Sequence, residues 1–66
     1  MRYKVNDVVR LLHDMSEEGL RAGAVGVVIM EFFNPEHAYE VEFSDSNGKT
    51  IALLSLKSDQ IAPYQI

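Results

Sequence analysis

The chain has no cysteine among its 66 residues, so neither a disulfide framework nor a zinc–thiolate site can brace a small core. Positive charge is scarce: six Lys and Arg stand against ten Asp and Glu, a net charge of −4, which argues against a phosphate-tracking surface and against nucleic acid as the partner. Long apolar runs are missing. The longest, residues 22–33, is broken by Gly23, Gly26 and Glu31 and falls well short of the roughly twenty residues a membrane span needs. The start MRYKVNDVVRLLHDM has no apolar core ahead of a small-residue cleavage site, so it does not read as a secretory signal. No repeat, linker or low-complexity tract divides the sequence. The expectation is one domain over residues 1–66, in the cytoplasm and away from membranes.

What is present is ordinary globular composition, with 47% hydrophobic and 24% charged residues. A domain this small buries only about 60% of its unfolded surface, so its stability is marginal unless another chain contributes.

Turn signals at 16–19, 21–26, 34–36, 45–48 and 57–59 cut the chain into short segments. Tyr39-Glu40-Val41-Glu42-Phe43 alternates with period two, which puts Tyr39, Val41 and Phe43 on a buried face and Glu40 and Glu42 toward water. Asn47-Gly48 follows, suited to positive φ in a tight turn, and then Thr50 to Leu56, so residues 39–56 predict a β-hairpin. In its second strand Ala52, Leu54 and Leu56 alternate with Ile51, Leu53 and Ser55. The β-branched run 25–33 predicts a further strand, with Val25, Val27 and Ile29 on one face and Val28, Met30 and Phe32 on the other.

Residues 7–15 read two ways. Val8, Leu11, Leu12 and Met15 have helical spacing behind an Asn6-Asp7 cap, whereas Val9 and Leu11 alternate with Arg10 as in a strand. The strand is preferred because every later element is one. A helical turn at 58–60 and a short last strand complete an all-β fold, a small five-stranded SH3-like barrel whose glycines supply positive φ at its bends. Closure would also protect edges that an open sheet leaves exposed.

The combination of Asp7-Val8-Val9-Arg10-Leu11, Glu18-Gly19-Leu20 with Gly23 and Gly26-Val27-Val28, Tyr39-Glu40-Val41-Glu42-Phe43 and Thr50-Ile51-Ala52-Leu53-Leu54 resembles a family of short bacterial proteins known as a domain of unknown function. The resemblance runs from about residue 3 to residue 64 and implies an SH3-like barrel. It carries no established catalytic or binding residues. Residues 19–28 alone are loosely similar to the glycine-bearing turn of KOW-type barrels and of the nitrile hydratase β-subunit barrel, although KOW modules are usually basic where this chain is acidic.

No motif for chemistry stands out. His13 and His37 are separated by a glycine-rich stretch too long for a metal motif, so no metal or cofactor is expected. The serines lack a nucleophile-elbow pattern, and Glu40 and Glu42 lie on a face predicted to be solvated, without the pocket a catalytic carboxylate needs. Gly19, Gly23 and Gly26 match no phosphate loop. An enzyme is not expected.

The anomaly is surplus apolar character, since residues 25–33 and 50–56 are apolar on both faces while a barrel interior needs only one. The second face could be covered by the tail 61–66, by the 14–22 loop or by another chain. A non-catalytic protein-interaction module follows, with a second copy of itself as the simplest partner and an antitoxin- or immunity-type inhibitor as one specific version. Phe32, Phe33, Tyr39 and Tyr64 are the candidate contact residues, with Tyr39 equally readable as core. Glu17 and Glu18, with Glu40 and Glu42, would steer a basic partner. The alternatives are a KOW-type nucleic-acid-binding barrel, which needs Arg2, Lys4, Arg10, Arg21, Lys49 and Lys57 on one face, and an accessory subunit of an enzyme.

Overall fold

Strict alternation makes Tyr39–Phe43 the most strongly sided segment of the chain, and the sheet forms around it. In the computed structural model, which describes residues 2–65, five strands make one antiparallel sheet: β1 (Val8–Leu11), β2 (Val25–Phe32), β3 (Ala38–Ser44), β4 (Thr50–Leu56) and β5 (Ile61–Pro63). Their order is β4-β3-β2-β1-β5, so the last strand returns to lie beside the first. Single 3-10 turns occupy Ser16–Glu18 and Ser58–Gln60, the second directly ahead of β5. The result is the expected all-β, barrel-like architecture. No helix among the described residues is long and apolar enough to cross a membrane.

Residues 7–15 resolve in favour of the strand. Val9 and Leu11 are fully buried, and β1 is an interior strand, pairing with β2 through Val9 and Gly26 and with β5 through Leu11 and Ile61. Helical spacing lost because two neighbouring strands satisfy the β1 backbone, which a helix would have withdrawn from the sheet.

The hairpin follows its pattern. Tyr39, Val41 and Phe43 face inward opposite Leu56, Leu54 and Ala52, and Gly48 turns at φ 83°. The Asp45 carboxylate holds that turn by accepting the N–H groups of Asn47 at 2.8 Å and Lys49 at 2.9 Å.

In β2 the expected sidedness holds only to Val28. Val28 pairs with Val41 and Met30 with Glu40, so Ile29 is an extra residue, a β-bulge. The bulge reverses the phase. Met30 and Phe32, expected on the face of Val28, instead join Glu40 and Ala38 on the outer side, and Met30 is 51% exposed where Val28 is fully buried.

Gly26 also departs from expectation. Of the glycines read as bends, Gly19 and Gly23 do take positive φ, but Gly26 lies inside β2 and serves close approach instead. A Cβ there would come within 2.6 Å of Val41 Cγ1 and 3.0 Å of the Glu42 carbonyl oxygen.

Segments outside the sheet complete the core. Tyr3, Leu20 and Ile61 are almost wholly buried against the strand residues. The Tyr39 hydroxyl accepts the Tyr3 N–H at 3.0 Å, and the Tyr3 hydroxyl donates to the Ile61 carbonyl at 3.3 Å. The tail and the 14–22 loop thus fill the interior through Ile61 and Leu20 rather than covering the outside; Ile66, at the end of that tail, lies outside the described residues.

Candidate functional site

The outer side of the sheet carries the surface that the fold does not use. Pairing sets Leu53, Glu42, Val27 and Val8 side by side across four strands, and Ser55, Glu40 and Met30 in the next row. Tyr64 continues the first row, its N–H donating to the Val8 carbonyl at 3.1 Å. Leu53, Met30 and Val8 are 50%, 51% and 42% exposed, with Val25 and Ile51 exposed beside them. Glu40 and Glu42, half-buried on β3, form an acidic line through the middle of this apolar ground. Thr50 donates its hydroxyl to the Glu42 carboxylate, and Arg10 of β1 is the cation on the same side.

A second group gathers where β2 runs into the 33–37 loop. One oxygen of Glu31 takes both the Arg2 Nε–H at 3.0 Å and His37 Nε2 at 2.7 Å. These contacts hold the Glu31 carboxyl below its ordinary value, the His37 hydrogen bond chiefly and then Arg2. Phe33 stacks flat on His37, centroids 5.4 Å apart and planes 6° from parallel, and the Arg2 guanidinium lies 5.5 Å from the same ring.

The six candidate contact residues are not brought together. Phe33, 59% exposed, belongs to the Arg2–Glu31–His37 group, and Phe32, half-buried, lines an open groove of about 400 Å³ with Pro35, Ala38, Glu40 and Ser55. Tyr64 is exposed after β5, near Val8. Glu17 and Glu18 are exposed on the first 3-10 turn, away from the sheet's acidic line. Tyr39 is corrected: it is fully buried and its hydroxyl serves Tyr3, so it offers a partner nothing. Inward alternation with Val41 and Phe43 decides its place.

Val8, Met30 and Glu31 are not among the site residues that the sequence predicts, and His37 and Arg2 figure there only as a weighed metal ligand and as a cation of the nucleic-acid alternative. Surplus apolar character in β2 pointed toward Met30, but the bulge that exposes it has no local signature. The six cations are spread over different elements, with Arg2 on Glu31 and Lys57 on Glu36 at 3.3 Å.

A small antiparallel β-barrel-like module with an apolar, acid-lined outer face is the class of protein these features define. The chain matches, over residues 5–63, the family described as a domain of unknown function (DUF4926), and it belongs to that family. No curated protein and no solved structure matches it.

Proposed function

We propose that this protein is a non-catalytic protein-interaction module, that it works in the cytoplasm, and that its first partner is a second copy of itself. The observation that carries the proposal is the apolar surface left outside the core: Val8, Val25, Met30, Ile51 and Leu53 are all exposed on strands whose inner residues already fill the interior. An uncovered patch of this kind on a domain of 66 residues is costly in water, and association that covers part of it lowers that cost. Support for the non-catalytic part comes from Glu40 and Glu42, which lie on the open outer surface of the sheet, Glu40 at the side of an open groove and not inside an enclosed cavity. Their charge suits a partner of basic character for whatever part of the face self-association leaves open, as in an inhibitor of antitoxin or immunity type.

Sedimentation or light scattering across a concentration series tests the proposal. A mass that rises with concentration supports it, and a strict monomer at the highest concentration overturns self-association.

A further inference from the structure

The two edges of the sheet differ in kind. β5 is three residues long and ends in Pro63, which has no N–H to offer a further strand. β4 is seven residues long and contains neither proline nor a charged residue. It pairs on one side with β3, and among the described residues no backbone or side-chain hydrogen bond reaches the main chain of 51–56 from the other side. Past a bulge near its start, the bare stretch of β4 over residues 52–56 is a template for another strand, since neither charge nor proline blocks it.

Resting on the reading of the protein as self-associating, we propose that two copies join through β4, edge to edge and antiparallel, into one continuous ten-stranded sheet. Charge favours this edge over the rest of the surface. Each copy carries a net charge of −4, and β4 is the one long strand along which two copies meet no like charges, whereas β3 brings Glu40 and Glu42 and β2 brings Glu31.

The flanking residues choose the register. Ser44 pairs with Thr50 and Phe43 with Ala52, so Ile51 is bulged and the flat edge runs over residues 52–56. Pairing centred on Leu53 would set Lys49 against Lys57 of the other copy, a like-charge pair. Pairing centred on Leu54 avoids this, with Leu53 opposite Ser55 on the outer side and Ala52 opposite Leu56 on the inner. Lys57, already paired with Glu36, then faces Ile51. The arrangement is isologous and consumes both β4 edges, and the short proline-ended β5 leaves nowhere to add a third copy, so assembly stops at two. Ile51 and Leu53 lie at the seam and lose part of their exposure there, while Val8, Val25 and Met30 stay open on the outer side.

Three forms of the full chain test this by sedimentation equilibrium: the unchanged protein, the double variant Leu53→Lys/Ser55→Lys, and Met30→Glu. All three positions are exposed, and matched far-UV circular dichroism and urea midpoints establish that each variant is folded. Edge pairing places lysine opposite lysine twice per dimer; each lysine also lies beside Glu42 or Glu40 of its own chain, which offsets part of the repulsion, so the double variant should weaken dimerisation about three-fold or more. Met30, two strands away from the edge, should leave it unchanged. If the double variant fails to fold, Ser55→Lys alone takes its place with a smaller expected loss. Amide hydrogen exchange gives an independent measure: the β4 amides should exchange about ten-fold more slowly in concentrated than in dilute protein. A dimer broken by Met30→Glu, or one that survives the lysines, overturns edge pairing while leaving self-association intact. Concentration-independent β4 exchange in a dimer, or growth beyond two copies, overturns it equally. A strict monomer removes both proposals together.

Discussion

Tyr3 packs edge-on against Tyr39, ring centroids 5.4 Å apart and planes at 86°, while the Tyr39 hydroxyl accepts the Tyr3 backbone N–H at 3.0 Å. One buried side chain therefore anchors a segment that precedes the first strand to the middle of the sheet. Replacing Tyr39 by Phe keeps the ring and orphans that N–H, which should cost about 1–3 kcal/mol in urea unfolding. An unchanged midpoint would mean that water reaches the Tyr3 amide.

Burial pushes the Tyr3 phenol above its ordinary value of 10.0, and the neighbouring Tyr39 pushes it the same way. A raised folded value means that the unfolded chain loses this proton first as pH rises. The stabilisation is complete below pH 10 and should disappear as pH climbs through the raised value. Tyr3→Phe should flatten that alkaline loss, measured by urea midpoints at rising pH.

Glu31 works in the opposite direction. Its carboxyl is held below the ordinary 4.5 by the His37 hydrogen bond and then by Arg2, so its contribution is complete above that value and lost as pH falls through the lowered one. The stability gap between the unchanged protein and Glu31→Gln should close in acid. A gap that persists at the acid limit would show that charge is not its source.

Sidedness in β2 separates two neighbouring positions. Val28→Glu buries a carboxylate among fully enclosed residues and should unfold the protein, whereas Met30→Glu, exposed but directly opposite Glu40, should lower stability by only about 0.2–1 kcal/mol. Equal effects would contradict the bulge at Ile29.

Gly26→Ala should destabilise by about 1–3 kcal/mol, because the new methyl meets both a side chain and the Glu42 backbone oxygen. Gly48→Ala should cost about 1–2 kcal/mol for a different reason, a φ of 83° with open space around it. Truncating Val41 to Ala should relieve part of the first, since Phe43 Cε1 at 2.9 Å and the Glu42 oxygen at 3.0 Å remain, and leave the second unchanged, a difference that double-mutant cycles read directly.

If RNA or DNA homopolymers bound the protein at low salt with a steep salt dependence, the interaction would be of the phosphate-tracking kind. With Arg2 and Lys57 each held by a carboxylate, no such binding is expected.

The sequence by itself determined the elements and much of their sidedness. Period-two alternation placed Tyr39, Val41 and Phe43 inside, Asn47-Gly48 located the hairpin turn, and the β-branched run marked β2, because strand patterning and turn chemistry are local properties of the chain. It also revealed the apolar surplus that motivates the interaction proposal. Tertiary structure alone decided that Tyr39 is core and not contact, that Met30 turns outward past the Ile29 bulge, and that Tyr3 joins the interior. It also decided that Gly26 is needed where β3 passes over it and that β4, not β5, is the open edge. Each of these depends on which strands become neighbours and in what register, and the residues that settle it are far apart in sequence: 36 positions separate Tyr3 from Tyr39.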